Sequence, residues 1–364
     1  MVCRAEREQQ IMKWEENVRR VVPYTPGEQP AGRNIIKLNT NECPYPPAPG
    51  VAKRMAELET DRMRLYPAFP ENTELAKELA DFYHIDKEEL FIGVGSDDVL
   101  SMAFLTFFHG EKPILFPDIT YSFYDVWADV YGIPYERKPL DEAFCIRPED
   151  YRQPNGGVIF PNPNAPTGKL MEPDGVEQIV RDNQDVVVIV DEAYIDFGGI
   201  SALPLIRRYD NLLVVQTFSK SRALAGMRIG YAMGNPKLIR YLNDVKYSVN
   251  SYTMNYAALE LGAASIKDSA YFRECCDRIM QTRERAQAEL AGLGFVFQKS
   301  ASNFIFASHK TVPAAEIFEK LKEKGIYVRH WNKERISNYL RISIGTDEQM
   351  ESLYRALREI LACI

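Results

Sequence analysis

The chain has 364 residues, enough for two domains of ordinary size, and 46% of them are hydrophobic, which is typical of a globular protein with a substantial core. A net charge of -7 and the lack of a Lys/Arg-rich stripe disfavour nucleic acid or an anionic membrane as a partner. No apolar run approaches the roughly 20 residues that a membrane-spanning helix needs. The charged first ten residues lack the apolar core of a signal peptide, so we expect a cytosolic, cytoplasmic protein.

The cysteines and histidines show neither C-x-x-C spacing nor the spacing of metal ligands. A disulfide framework, a zinc site or another bound metal is therefore not expected. These residues are Cys3, Cys43, Cys145, Cys275, Cys276, Cys363, His84, His109, His309 and His330.

The first part of the chain alternates predicted helices and strands. An amphipathic helix is predicted over residues 8–22, a short strand over 35–38 and a Pro-rich loop over 39–47. A later strand, 91–94, turns into a helix at Ser96 and Asp97. The free backbone N–H groups of a helix N-terminus bind phosphate well, although an ordinary turn would give the same pattern.

A second candidate site follows the apolar run from Val186 to Val190, which predicts a central parallel strand buried on both faces. Asp191 comes next, at the carboxyl end of the strand, where open α/β sheets bind their ligands. A carboxylate there would keep a pyridine nitrogen protonated. A carboxylate that caps a turn is the competing interpretation.

The stretch 214–231, V-V-Q-T-F-S-K-S-R-A-L-A-G-M-R-I-G-Y, combines Thr217, Ser219 and Lys220 with Arg228 eight residues after the lysine. A lysine amine attacks an aldehyde when its pKa is lowered, and hydroxyls with a guanidinium hold a phosphate dianion. Any single lysine is more often a surface residue in a turn, but this combination points to a phosphate-bearing carbonyl compound.

This stretch closely resembles the lysine segment of the fold-type I pyridoxal-phosphate enzymes, S-K-x-x-x-L-A-G-x-R-x-G, at every fixed position. The resemblance implies that Lys220 binds pyridoxal 5'-phosphate covalently and that Arg228, Ser219 and Thr217 hold its phosphate. It also implies an α/β fold with a mostly parallel central sheet, helices on both of its faces, and a smaller α+β domain.

Other motifs extend the resemblance. The turn at Ser96 and Asp97 would contact the phosphate, Tyr121 would stack on the ring, and the D-E-A-Y segment assigns Asp191 to the pyridine nitrogen and Tyr194 to the phenolic oxygen. The stretch 161–168, P-N-P-N-A-P-T-G, departs from the family pattern N-P-x-N-P-T-G. Ala165 stands where an Asn should bond the phenolic oxygen, so either Asn164 takes over that bond or the bond is absent.

The last third of the chain loses the strand–helix alternation. A single long helix is predicted over 256–293, followed by short strands around 304–306, 326–329 and 339–344 that indicate an α+β domain. Arg341 lies within an apolar strand and should meet an anion, either a substrate carboxylate or an internal carboxylate. The predicted domains are 1–50 (N-terminal arm and part of the small domain), 51–250 (large cofactor domain) and 251–364 (small domain).

From Tyr24 to Thr346 the motifs most resemble the histidinol-phosphate aminotransferases, through Y-x-P-G, L-N-x-N-E, G-[IV]-x-[VL]-R and L-R-I-[ST]-[IV]-G-T, and through R-Y-P in the slightly altered form Leu65-Tyr66-Pro67. The resemblance implies a homodimer that converts histidinol phosphate and 2-oxoglutarate to imidazole-acetol phosphate and glutamate in histidine biosynthesis. Lys220 would also move the substrate proton. The resemblance further implies that Arg341 binds the substrate α-carboxylate and that Tyr24, Asn39 and Arg329 also contact the substrate. Tyr66 would contact the cofactor phosphate of the partner subunit.

Three alternatives remain. Aromatic amino-acid aminotransferases and threonine-phosphate decarboxylases share most of these motifs. A non-catalytic cofactor-sensing module is disfavoured because a sensor has no need of the proton shuttle that Lys220 supplies. The sequence alone does not fix the amino donor.

Overall fold

The computed structural model describes residues 13–30, 32 and 35–363. The predicted helix over 8–22 lies partly outside these ranges, and from residue 13 onward the prediction is wrong. Only a 3-10 turn, Lys13–Asn17, forms, and residues 19–30 run without regular secondary structure. The apolar side chains Trp14 and Val18 remain 64% and 49% exposed, and a short helix is marginal when its apolar face is not buried.

The strands form one large sheet and two smaller ones. They are β1 (Ile36–Lys37), β2 (Leu90–Gly93), β3 (Ile114–Pro117), β4 (Tyr135–Lys138), β5 (Gly157–Pro161), β6 (Val188–Asp191), β7 (Leu212–Thr217), β8 (Gly230–Gly234), β9 (Phe295–Phe297), β10 (Phe304–His309), β11 (Ile326–Tyr327), β12 (Arg329–His330) and β13 (Leu340–Ser343). The large sheet has the order β2-β8-β7-β6-β5-β3-β4. Within it, β8 runs antiparallel to both of its neighbours, whereas the other pairs are parallel.

The helices are α1 (Pro49–Ala56), α2 (Glu74–Tyr83), α3 (Gly95–Phe107), α4 (Phe123–Tyr131), α5 (Pro173–Asp182), α6 (Pro236–Val249), α7 (Tyr256–Lys267), α8 (Ser269–Gly292), α9 (Ala314–Glu323) and α10 (Asp347–Ala362). The single helix predicted over 256–293 is therefore wrong. Asp268 interrupts it with φ -92° and ψ 60°, and its side chain accepts the Tyr271 N–H as the N-cap of α8. A short acid side chain that satisfies a free helix donor favours a new start over continuation.

Both faces of the large sheet are buried along its central strands, as is typical of a mostly parallel sheet. Along β6, Val188 and Val190 join the hydrophobic core on one face, which α2, α5 and α7 also contribute to. Ile189 joins the core on the other face, beside α3 and α4. Side chains of successive strand residues point to opposite faces, so the Val-rich run fills both cores and holds the carboxyl end of β6 rigidly in the middle of the molecule.

The smaller domain is built from both ends of the described chain. Its antiparallel sheet has the order β12-β13-β10-β9, and β1 pairs in parallel with β11. Leu38, just after β1, is buried in the core that α8, α9 and α10 form with this sheet. Helix α7 packs instead on α1 and α2 in the core of the large sheet. The domain boundary at 250/251 stays a prediction. Helix α7 follows that boundary in sequence but packs against the large domain.

Candidate active site

Two adjoining cavities lie at the carboxyl edge of the large sheet, facing the small domain. The inner cavity measures about 180 Å³ and the outer one about 480 Å³. Both are lined by Thr40, Tyr121, Ala165, Tyr194 and Lys220. Ligands of open α/β sheets bind at this edge, beyond the carboxyl ends of the strands.

One end of the inner cavity suits a phosphate. It is lined by Ser96 and Asp97 at the N-terminus of α3, by Thr217 at the end of β7 and Ser219 just after it, and by Arg228. The Thr217 hydroxyl lies 3.0 Å from the Ser219 hydroxyl and accepts the Ser219 backbone N–H. Free helix N–H groups, hydroxyls and a guanidinium are the donors that bind phosphate best.

The backbone at this end is shaped by two glycines. A Cβ on Gly95, whose φ is +82°, would lie 2.5 Å from Arg228 Nη2, and a Cβ on Gly230 would lie well under 3.0 Å from the Ser96 backbone nitrogen. Arg228 itself has a φ of 53°, a left-handed conformation that costs energy for a residue with a side chain and that clusters at functional sites. The glycines thus let the Gly95–Ser96 turn close onto Arg228, which forms an ion pair with Asp97 at 3.3 Å.

Asp191 also lines the inner cavity, at the end of β6, and is 5% exposed. Burial raises the pKa of Asp191 from its usual value of 3.8 to about 6, while a hydrogen bond that Tyr124 Oη donates to Oδ2 at 2.9 Å acts in the opposite direction. The Ala193 backbone N–H donates to Oδ1 at 3.2 Å. A buried carboxylate without a cation partner is costly, so this site favours a cationic ligand group.

Lys220 and Tyr194 lie where the two cavities meet. Lys220 Nζ donates to the Thr40 carbonyl at 3.0 Å and lies 5.9 Å from the centre of the Tyr194 ring. The Tyr194 oxygen accepts a hydrogen bond from Asn41 Nδ2 at 2.9 Å. The hydroxyl hydrogen of Tyr194 is therefore left to donate to a bound oxygen atom.

The structure does not place Asn164 at the cavity. Its Nδ2 donates to the Ile119 carbonyl at 2.9 Å and to the Thr167 hydroxyl at 3.0 Å, and its Oδ1 accepts from Thr120 at 3.1 Å. An amide nitrogen has only two hydrogens, so both are spent on the loop. Ala165 lines the cavity in its place, and the suggestion that Asn164 takes over the missing bond has no support in this geometry.

The outer cavity carries the two arginines singled out in the sequence. Arg341 Nη2 donates to the Asn39 carbonyl at 2.8 Å, whereas Arg341 Nε and Asn39 Oδ1 are buried with no hydrogen-bond partner among the described residues. Arg329 donates to the carbonyls of Thr25 and Pro26, both at 3.1 Å. A guanidinium that keeps a buried unpaired N–H would gain from an anionic ligand.

Aromatic rings complete the wall of the outer cavity. The Arg329 and Arg341 guanidinium carbons lie 5.3 Å and 5.2 Å from the Trp331 ring centre. Tyr24 stacks on Phe123 at 4.2 Å between ring centres. Trp331 therefore contributes cation–π contacts to both arginines at once.

Tyr66 is not brought to either cavity of this chain. It is 80% exposed and packs against Tyr252 on the surface, with ring centres 4.5 Å apart. Two residues of the site, Tyr124 and Trp331, escaped the sequence-based prediction. For Tyr124, in the first turn of α4, the one signal was its spacing of three residues from Tyr121, which precedes the helix, and nothing near Trp331 marked it.

These residues fit pyridoxal 5'-phosphate. The donors described above would hold its phosphate, Asp191 its pyridine nitrogen, Tyr194 its phenolic oxygen and Lys220 its aldehyde carbon. Tyr121, whose hydroxyl donates to Asp97 at 2.8 Å, lines the same cavity. Among residues 13–30, 32 and 35–363 no group of three or more metal-ligating side chains occurs. In the same part of the chain no helix is both long and apolar enough to cross a membrane.

Known proteins share this sequence and architecture. Residues 33–357 match the family model "Aminotransferase class I and II". Histidinol-phosphate aminotransferase of Clostridium beijerinckii is 50% identical over 349 residues, covering 96% of this chain and 97% of that protein, and the one from Lactococcus lactis subsp. cremoris MG1363 is 48% identical over 350 residues, covering 96% and 98%.

A solved structure has the same fold. Histidinol-phosphate aminotransferase from Sinorhizobium meliloti in complex with pyridoxal-5'-phosphate is 24% identical, with a TM-score of 0.83, and the match covers 91% of this chain and 92% of that one. At this identity the likeness establishes the α/β fold that the lysine segment predicts. The chain therefore belongs to the class I and II aminotransferases, a family of enzymes that depend on pyridoxal 5'-phosphate.

Proposed function

We propose that this enzyme transfers the amino group of histidinol phosphate to 2-oxoglutarate, giving imidazole-acetol phosphate and glutamate in histidine biosynthesis. The observation that carries the proposal is that relatives named for this activity align with 96% of this chain and are identical to it at about half of the aligned positions. The outer cavity supports it independently, because its two arginines suit substrates with anionic ends.

The two substrates differ in the charges they present. Histidinol phosphate has a phosphate and no α-carboxylate, whereas glutamate has two carboxylates. One cavity must therefore accept a phosphate or a carboxylate. Planar guanidinium groups form paired hydrogen bonds with both kinds of anion. We assign Arg329, with Tyr24 and Asn39, to the substrate end that carries the phosphate, and Arg341 to the α-carboxylate of glutamate.

The roles of the remaining residues follow from their positions. When bound, the cofactor supplies an electron sink for the substrate carbon that loses its proton. The Lys220 amine, at the junction of the two cavities, takes that proton and returns it, as a general base and then a general acid. Asp191 holds a proton at the pyridine nitrogen. Tyr194 donates to the phenolic oxygen, since its own oxygen already accepts from Asn41.

The related activities are separated by one comparison of rates. We expect kcat/KM with 2-oxoglutarate to be at least tenfold higher for histidinol phosphate than for tyrosine or phenylalanine. Threonine phosphate should release no CO2. A reversed order for the aromatic amino acids would move the enzyme to the aromatic aminotransferases, and CO2 release would make it a decarboxylase.

We also propose that the chain acts as a homodimer. Tyr66, Phe69 and Tyr252 are 80%, 39% and 49% exposed and pack on one another at the surface. Exposed aromatic clusters of this kind mark protein–protein contacts. Tyr66 would reach the cofactor phosphate bound by the partner subunit.

Light scattering on the wild type tests the dimer. A monomer that retains full activity would contradict it. Tyr66→Ala should weaken cofactor binding, whereas Tyr241→Ala, which alters another tyrosine 43% exposed on α6, should not. Equal effects of both substitutions would contradict the role of Tyr66.

A further inference from the structure

Tyr124 lies next to Asp191, in the first turn of α4, and is completely buried. Its hydroxyl donates to Asp191 Oδ2 at 2.9 Å. The ring is fixed between those of Phe116 and Trp127, with ring centres 5.9 Å and 6.2 Å away. A phenol packed in this way has little freedom, so the hydrogen bond is built into the core of the large domain.

The bond matters because of what surrounds the carboxylate. Burial is the main influence on the pKa of Asp191 and raises it, and among the influences that lower it the Tyr124 hydrogen bond is the largest, ahead of the Ala193 N–H. Burial also raises the pKa of the Tyr124 hydroxyl well above its usual range, so it remains a donor. The other charged and titratable side chains lining the inner cavity are Glu42, Asp97, Tyr121, Tyr194, Lys220 and Arg228.

No cation is paired with Asp191 in the described structure. Asp97 acts on it as a like charge, and Arg228 is already paired with Asp97 at 3.3 Å. A buried carboxylate survives in ionised form only when donors or a cation support it. Without a ligand, the ionised form of Asp191 is therefore supported by two donors, the Tyr124 hydroxyl and the Ala193 backbone N–H.

We propose that Tyr124 is a positioning residue of the enzyme, whose hydroxyl keeps Asp191 ionised and oriented toward the cavity so that it can pair with the protonated pyridine nitrogen of pyridoxal 5'-phosphate. This inference rests on the role proposed above for Asp191. Tyr124 acts through Asp191 and touches no reacting atom. A phenylalanine would fill the same space without holding the carboxylate.

Equilibrium binding of pyridoxal 5'-phosphate to the full-length apoenzyme tests the inference, with tryptophan fluorescence as the readout. Tyr124→Phe should raise Kd on the order of tenfold near pH 6.5, because a charge-assisted hydrogen bond is lost and the carboxylate keeps its proton to higher pH. The ratio of mutant to wild-type Kd should fall toward pH 8.5, where the carboxylate is ionised in both proteins.

A matched control is Tyr151→Phe. Tyr151 is also buried, 1% exposed, but its hydroxyl has no hydrogen-bond partner among the described residues. This substitution should leave Kd unchanged at every pH. A Kd ratio for Tyr124→Phe that equals the Tyr151→Phe ratio, or one that is constant from pH 6.5 to 8.5, would overturn the proposal.

The substitution is then repeated in an Asp191→Asn background. With no carboxylate to ionise, Tyr124→Phe should cost little further affinity and the pH dependence of the ratio should vanish. A pH-dependent ratio that persists in this background would show that Tyr124 does not act through Asp191. If Tyr124→Phe alone does not fold, recovery of folding in the double variant supports the proposal and continued failure contradicts it.

The same set of proteins separates two kinds of failure. If Asp191→Asn by itself binds the cofactor as tightly as the wild type at all pH values, the role proposed for Asp191 is wrong. If Asp191→Asn binds weakly while Tyr124→Phe binds normally, only the inference about Tyr124 fails.

Discussion

Replacing Asp191 by Asn should stabilise the apoenzyme, although it removes a residue of the active site. In the folded chain the pKa of Asp191 rises from 3.8 to about 6 because the side chain is buried. At about 1.4 kcal/mol for each pKa unit, ionisation of this group costs the folded state about 3 kcal/mol at pH 8. An asparagine avoids that cost, since its amide can accept from Ala193 and donate to Tyr124.

The sign and the pH range follow from the same shift. An acid whose pKa is raised by folding destabilises the folded state only where it is ionised, so the cost is absent below about pH 4 and complete above about pH 7. The stability difference between Asp191→Asn and wild-type apoenzyme should be about 1.5 kcal/mol at pH 5 and about 3 kcal/mol at pH 8. For a chain of this length these values correspond to rises in Tm of about 2 °C and about 4 °C.

Thermal unfolding of both cofactor-free proteins, followed by circular dichroism between pH 5 and pH 8, measures the effect. The control is Asp244→Asn, which removes the same charge from an exposed position on α6. With saturating pyridoxal 5'-phosphate the order should reverse, because the wild-type carboxylate then gains a cationic partner. A variant apoenzyme that melts at or below the wild type at pH 8, or a difference that does not change with pH, would refute the reasoning.

Lys220→Ala should abolish turnover and leave the fold intact. Borohydride reduction of the wild type followed by peptide mapping should locate the cofactor on Lys220. Attachment to another lysine would show the assignment to be wrong. Substituting Arg329 should raise KM for histidinol phosphate and substituting Arg341 should raise KM for glutamate. Each change should remove roughly 1.5–3 kcal/mol of binding free energy through the lost charge-assisted bond, and equal effects on both substrates would contradict the division of roles. Gly230→Ala should cost about 1–3 kcal/mol of stability and weaken cofactor binding, because its Cβ would press on the Ser96 turn. Gly226→Ala, where a Cβ meets nothing within 4 Å, is the matched control, and identical melting temperatures for the two variants would argue against the close packing.

What could be predicted from the sequence depended on short-range patterns. The run from Val186 to Val190 requires burial on both sides, and this places Asp191 at the ligand edge of the sheet whatever the rest of the chain does. The spacing of Lys220 and Arg228 is equally local. Both predictions depend only on the order of residues within one short stretch of the chain.

One of the failed predictions is local, whereas the surroundings of Asn164 and Tyr124 depend on partners that are distant in the chain. The break between α7 and α8 is local, because the Asp268 side chain accepts the N–H of Tyr271, three positions on, and caps α8. The Asn164 amide is held within its own loop in part because the carbonyl of Ile119, 45 positions away, accepts one of its hydrogens. The Tyr124 hydroxyl lies 2.9 Å from Asp191 only because the fold joins two segments that are 67 positions apart.

The reversed direction of β8 has a consequence for which length changes this fold can tolerate. Because β8 is antiparallel to β7, Thr217 and Gly230 pair directly, and residues 218–229 leave and rejoin the sheet at the same edge. The length of this loop therefore sets the distance between the Lys220 amine and the Arg228 guanidinium. Two parallel strands would instead need a crossover connection along the sheet. Insertions in the crossovers of the parallel strands can be accommodated at the surface. Even one residue added between Lys220 and Arg228 would instead change the position of the amine relative to the guanidinium.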